Sequence, residues 1–176
     1  MTTLLGISGS LRKASTNTAL MRQASELFAA DSFIEADPNL PLYNGDLEAA
    51  AGIPASVQLL ADQISTADAI IIATPEYNKG ISGVLKNALD WVSRTEGNPW
   101  ADKPVAIMSA AAGRAGGERS QYALRLCLAP FDTNLVQLPE VLIGSNFSEF
   151  DENGKLTSER YVATLTAQMD KLRALL

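Results

Sequence analysis

A run of six residues, Ala69–Thr74 (AIIIAT), stopped by Pro75, is the strongest constraint on what this chain can fold into. A strand with one wet face alternates apolar and polar side chains, whereas this one is apolar on both faces. Strands of that kind lie in parallel sheets covered by helices above and below. The flanking sequence supplies such helices. From Thr18 onward, Leu20, Ala24, Leu27 and Phe28 share one helical face. Pro54 opens a second helix with Val57, Leu60, Ala61 and Ile64 on one side. Thr3–Ser8 reads as a strand ending at Gly9, and Ser32–Asp37 as a weaker strand before an irregular stretch, PNLPLYNGDLEAAAG. Downstream, Gly83–Val92 reads as a helix, Pro104–Ala110 as a strand, Gly117–Leu128 as a helix and Thr133–Leu138 as a fifth strand. A last helix carries Val162, Leu165, Met169, Leu172 and Leu176 at steps of 3 and 4. This alternation predicts an α/β fold, a parallel sheet between two helical layers with right-handed crossovers. No repeat, low-complexity tract or linker divides the 176 residues, so a single domain over 1–176 is expected.

The composition removes whole classes of chemistry. Without histidine there is no Ser-His-Asp or Cys-His catalysis and no imidazole zinc site. Cys127, the lone cysteine, forms neither an internal disulfide nor a thiolate metal cluster, and fits a reducing compartment. A net charge of −6, from 20 acids against 14 bases, repels nucleic acid and anionic membrane surfaces. No window approaches the roughly 20 apolar residues of a membrane span. The start, MTTLLGISGS, has neither a basic leader nor a long apolar stretch. A soluble cytoplasmic protein is expected, with no metal, nucleic acid or membrane partner.

In an open α/β sheet, ligands bind beyond the carboxyl ends of the strands, where strand order reverses. Three loops there are unusual. Gly9–Thr18 (GSLRKASTNT) sets Ser10, Ser15, Thr16, Asn17 and Thr18 at a helix N-terminus, with Arg12 and Lys13 as local positive charges. Free backbone N–H groups, the helix dipole and an arginine all favour an anion there. A polar turn with a Ser or Asx cap is the plainer reading. Neither the dinucleotide pattern GxGxxG nor the Walker pattern GxxxxGK[ST] is present, and the loop reads GISGSLR. A hydroxyl-rich loop without those glycines suits a terminal phosphate monoester, such as that of flavin mononucleotide (FMN). Thr74–Gly83 (TPEYNKGISG) follows the buried strand, with Tyr77 available to a planar ring and Glu76 and Asn78 near its polar edge. A turn with Ser82 capping the next helix explains the same residues. Ser109–Gln121 (SAAAGRAGGERSQ) bares the backbone at Gly113, Gly116 and Gly117 between Arg114 and Arg119, or is simply a mobile connection.

GSLRKASTN, PEYN followed by GVLKNALDW, and SAAAGRAGGERSQ, in that order, resemble the NADPH-dependent FMN reductases, in their chromate, quinone and azo-compound reductase branch. The likeness runs from Gly6 to about Leu128 and more loosely beyond. It implies a three-layer flavodoxin-like sandwich with strand order 2-1-3-4-5 and a non-covalently held FMN. By position, Ser10, Arg12, Ser15, Asn17 and Thr18 would hold the phosphate. Pro75, Glu76, Tyr77 and Asn78 would line the ring, and Ser109 and Gly113 would approach it from the third loop. The implied activity is a ping-pong transfer of hydride from NADPH or NADH to FMN, then of electrons to quinones, chromate, azo compounds or flavins. Reactive atoms that belong to a cofactor agree with the absent histidine. A homodimer or homotetramer is also implied.

The chain departs from the pattern at Ala14, where glycine is common, and at Thr16, where an aromatic is common. Ser82 stands where proline is frequent, and Ala111 and Ala112 stand for a Ser-Pro pair. An acidic electron carrier without direct NAD(P)H reactivity is the alternative reading, since −6 suits steering onto partners. A phosphate-binding regulatory module without flavin is a third. Helix Gly83–Val92 is apolar on more than one side, as either an interface helix or a fully buried one would be. Trp91 and Trp100 read as core or interface residues, and Cys127 as a small buried apolar one.

Overall fold

The apolar run becomes the middle of the sheet. The computed structural model describes residues 1–176. Its strands are β1 (Thr3–Ser8), β2 (Ser32–Ala36), β3 (Ala69–Ala73), β4 (Pro104–Ala110), β5 (Asn134–Leu135) and β6 (Val141–Ile143). Its helices are α1 (Thr16–Phe28), α2 (Gly45–Ala51), α3 (Ala55–Thr66), α4 (Gly83–Val92), α5 (Glu118–Leu128) and α6 (Glu159–Arg173). The order is β2-β1-β3-β4-β5, with β6 also on β4, and every pairing is parallel. That is the doubly wound flavodoxin-type order, reversing between β1 and β3. No helix is long and apolar enough to cross a membrane.

Alternation along β3 divides its side chains between two cores. Ile70 and Ile72 join Leu5, Ile7, Val105 and Ile107 against α3, α4 and α5. Ala69, Ile71 and Ala73 face the other way, with Leu4, Ala106 and Met108 against α1 and α6. All five β3 residues are fully buried, and each such isoleucine contributes roughly 1.5–3 kcal/mol by leaving water. α4 resolves toward burial within the chain, since Leu85, Leu89, Trp91 and Val92 are core and Val84 is half-buried. Trp91 and Trp100 are both core residues, and Cys127 is half-buried against the same core.

Two segments differ from the sequence reading. The predicted fifth strand, Thr133–Leu138, pairs only over Asn134–Leu135, and a separate strand, Val141–Ile143, resumes beside β4. Pro139, which has no N–H to give a ladder, lies in the gap. The carbonyl of Ile107 faces that gap. Gln168, buried on α6, donates to it at 3.0 Å and to the Pro139 carbonyl at 3.0 Å. The irregular stretch contains α2, none of whose residues is buried. The preceding strap is fixed from α4: Asn87 Nδ2 and Trp91 Nε1 donate to the Pro41 carbonyl at 3.0 and 2.7 Å, and Tyr43 N–H donates to Asn87 Oδ1 at 2.8 Å. The Tyr43 hydroxyl donates to Glu48, which raises the phenol's pKa above its ordinary value.

Gln168→Leu strands the Ile107 and Pro139 carbonyls inside the protein. It should lower stability by about 1–3 kcal/mol, measured as an earlier urea midpoint without a change in slope.

Candidate functional site

Parallel register brings the carboxyl ends of β1, β3 and β4 to one level, with Ser8 opposite Ala73 and Ala73 opposite Met108. Beyond them lies an open cavity of about 180 Å³. Its walls are Ser10, Arg12, Ser15, Thr16 and Asn17 from the first loop, Pro75, Glu76 and Tyr77 from the second, Ala110, Ala111 and Ala112 from the third, and Asn146 and Phe147. Alone it is smaller than the roughly 300 Å³ at which ligand pockets begin. An adjoining recess of about 370 Å³ shares Ser10 and Arg12 with it.

The first loop forms its anion-facing geometry by ordinary capping. Ser15 is the N-cap of α1, and its Oγ accepts from Thr18 N–H at 3.3 Å. The N–H groups of Thr16 and Asn17, in the first turn, have no intrahelical partner. That turn carries no acidic residue. Arg12 is exposed, and the ion pairs of the structure involve neither it nor Lys13. An acidic chain thus keeps two uncommitted cations where a helix dipole favours an anion by about 0.3–1 kcal/mol.

Asn17 is anchored elsewhere. Its Nδ2 donates to the Ala110 carbonyl at 2.9 Å, and its Oδ1 accepts from Ala110 N–H at 2.9 Å. This buried pair ties α1 to the end of β4, so what Asn17 offers the cavity is chiefly its backbone N–H. Thr18 also turns inward, its hydroxyl 2.7 Å from that of Ser8, and it lines the adjoining recess.

In the second loop, Tyr77 and Gly80 exchange two backbone hydrogen bonds of 3.0 Å. Asn78 and Lys79 form the turn between them, with φ of 49° and 70°. Asn78 sits at the exposed tip, outside the cavity, while Tyr77 remains half-exposed at its mouth. Glu76 accepts from Arg119 N–H at 3.2 Å, joining this loop to the start of α5.

The third loop is held firmly. Ser109 is fully buried, donating to the Gly116 carbonyl at 2.6 Å and accepting from Gln121 Nε2 at 2.9 Å. It shapes the loop from beneath and does not reach the cavity. Gly113 is exposed, and its carbonyl accepts from Gly116 and Ser145. Backbone packs directly on backbone here: a Cβ on Gly116 would lie 2.5 Å from the Leu142 carbonyl carbon, and one on Gly144 would strike the Arg114 carbonyl. The glycines serve close approach to the exit of β6, and the loop is no free connection.

Seven of the eleven sequence-derived residues therefore line one cavity: Ser10, Arg12, Ser15, Asn17, Pro75, Glu76 and Tyr77. Thr18, Asn78, Ser109 and Gly113 lie beside or beneath it. Asn146 and Phe147, which follow β6, were missed. The signal was the apolar triplet Val141–Ile143 between Pro139 and Gly144, which marks one more strand and one more carboxyl-end loop. Arg114 lines a separate recess with Glu118, Glu140 and Tyr161, Arg119 meets the second loop through its N–H on Glu76, and neither arginine lines this cavity.

Fold and cavity together define a doubly wound α/β protein with an anion-favouring cleft at its topological switch point. The chain belongs to the NADPH-dependent FMN reductase family, whose description matches residues 2–148. It is 44% identical to an NAD(P)H-dependent FMN reductase of Pseudomonas aeruginosa, covering 97% of this chain and 92% of that one. It is 39% identical to a quinone reductase of Escherichia coli K12, covering 92% and 88%. Among solved structures, the flavoenzyme NAD(P)H:(acceptor) oxidoreductase FerB of Paracoccus denitrificans superposes with a TM-score of 0.87 at 34% identity, covering 99% and 97%.

Two substitutions test the bracing of the site. Asn17→Ala removes both bonds to Ala110 and should cost about 2–3 kcal/mol. Gly144→Ala forces two backbone segments apart and should cost at least about 1–3 kcal/mol. Both are read by urea denaturation of the flavin-free protein.

Proposed function

We propose that this chain is an NAD(P)H-dependent flavoprotein reductase that holds FMN in the cavity at the carboxyl ends of β1, β3 and β4 and reduces quinones or similar acceptors. The observation that carries the reading is the convergence of the α1 N-terminus, unpaired Arg12 and Tyr77 on one cavity, in a chain of this family. The donor set fits the cofactor. Backbone N–H groups of Thr16 and Asn17, the hydroxyls of Ser10 and Thr16, and the Arg12 guanidinium suit a phosphate monoester. Chromate, azo compounds and free flavins are acceptors of the same reading.

A bound FMN would supply two-electron chemistry, accepting hydride from a nicotinamide and passing electrons on. This chain's residues supply position. The first loop fixes the anionic end, and its hold on Ala110 through Asn17 keeps that end in register with β4. Pro75–Tyr77 shape one wall, where Tyr77 offers an aromatic face at an open mouth. No side chain needs to act as nucleophile or as a base near neutral pH. An open mouth imposes little choice of acceptor.

The reading takes residues 1–176 as one flavodoxin-like domain acting in the cytoplasm, where Cys127 stays reduced. It also takes the protein as a homodimer or homotetramer. Exposed Leu42, Leu47, Tyr122, Leu126 and Leu138 offer apolar surface for a second copy.

Incubation with FMN and desalting should leave a yellow protein. Anaerobic NADPH should bleach it, and a quinone should restore the colour with steady oxidation of NADPH. A colourless protein overturns the reading, and a yellow one that NADPH does not bleach leaves an electron carrier. Arg12→Ala should weaken FMN binding by on the order of tenfold and flatten its salt dependence, measured by quenching of flavin fluorescence.

A further inference from the structure

Four buried side-chain polar atoms have no hydrogen-bond partner: Trp100 Nε1, Gln121 Oε1, Gln168 Oε1 and Asn146 Oδ1. Of these residues only Asn146 lines the cavity. Its placement does not depend on that oxygen. Asn146 N–H donates to the Ala111 carbonyl at 3.2 Å, and the preceding Ser145 donates to the Gly113 carbonyl at 3.4 Å. Ser145 holds a left-handed conformation, φ 49°, a costly one for a residue with a side chain and one that clusters where a site requires it. Backbone contacts therefore present the Asn146 amide to the cavity, and the fold leaves its acceptor unmatched.

The other half of the amide is committed. Asn146 Nδ2 donates to Thr16 Oγ1 at 2.7 Å. Since Thr16 Oγ accepts there, its own hydrogen is left to donate, and Thr16 lines the same cavity in the first turn of α1. The Thr16 hydroxyl is thus a donor facing the anion position. Asn146 Oδ1 is an acceptor next to it that needs a donor.

We propose that Asn146 is a ligand-binding residue, its Oδ1 accepting a hydrogen bond from a hydroxyl of the polyol chain that joins a bound phosphate to its ring. The assignment rests on the reading above that the cavity holds FMN. Phosphate oxygens at neutral pH and ring carbonyls are acceptors and cannot satisfy Oδ1, and the ring's N3–H donor lies at the end of the flavin remote from the phosphate, whereas chain hydroxyls beside the phosphate can. Through Nδ2 the same residue is a positioning residue for Thr16.

Binding of FMN and riboflavin, read by fluorescence quenching, tests this in the wild type, N146A and N146D. Riboflavin has the polyol chain without the phosphate. N146A should weaken riboflavin about three- to tenfold and FMN by that factor or more, since Thr16 is released as well. N146D keeps an acceptor oxygen in place. It should hold riboflavin within about twofold of wild type, while its charge weakens FMN. Unchanged affinity in N146A overturns the proposal. So does a loss confined to FMN in N146A, which places Asn146 at the phosphate. A loss of riboflavin in N146D equal to that in N146A makes the residue merely structural and overturns the proposal as well. A wild type that binds neither flavin defeats the FMN reading itself, so the two failures are distinct. Thermal unfolding of each flavin-free variant checks that the fold survives.

Discussion

Asn17 joins α1 to the end of β4 through two hydrogen bonds of 2.9 Å, buried between helix and sheet. Its amide imitates the backbone of one more strand residue, matching both the donor and the acceptor of Ala110. The first turn of the helix, with its unpaired N–H groups, therefore cannot drift from the third loop. Further contacts extend the tie. Ser8 meets Thr18 beneath the first loop, Ser109 holds the glycine loop from below, and Asn146 reaches Thr16 from beyond β6. A cavity walled by separate loops keeps its form because each wall is fastened to a strand end or to another wall.

The elements with strong periodicity were legible in sequence. β1, α4 and β4 match their expected bounds, and the both-face burial of β3 fixed the layers. The edge beside β4 was less so, since two- and three-residue strands leave too short an apolar pattern to separate from loop. α2 escaped because a seven-residue helix that buries nothing shows no apolar face. At the site, composition identified the right loops but not the direction of each side chain. Asn17, Thr18 and Ser109 are polar residues in the right place, and tertiary partners nearly one hundred residues away in the case of Asn17 claim their polar atoms. Asn146 lay hidden behind the unrecognised β6.

Charge is arranged by position more than by total. The carboxylates of Glu35, Glu48, Asp90, Glu140 and Asp170 are each within reach of a lysine or arginine. Arg12 and Lys13 stay free at a helix start without acids. The field of the −6 net charge is largely screened beyond a Debye length of about 8 Å, and within that distance of the first loop its own cations dominate. At this loop the local field runs against the average one.

The division of the last sheet position into β5 and β6 also bears on what this protein avoids. A long, regular outer strand is a template on which other chains can extend a ladder. Here that border consists of two residues, then a bend through Pro139, then three more. Gln168 occupies the hydrogen-bonding position left between them. Such a border offers an incoming chain no continuous register, so the interruption that gives the cleft its fourth loop also guards the sheet against uncontrolled growth.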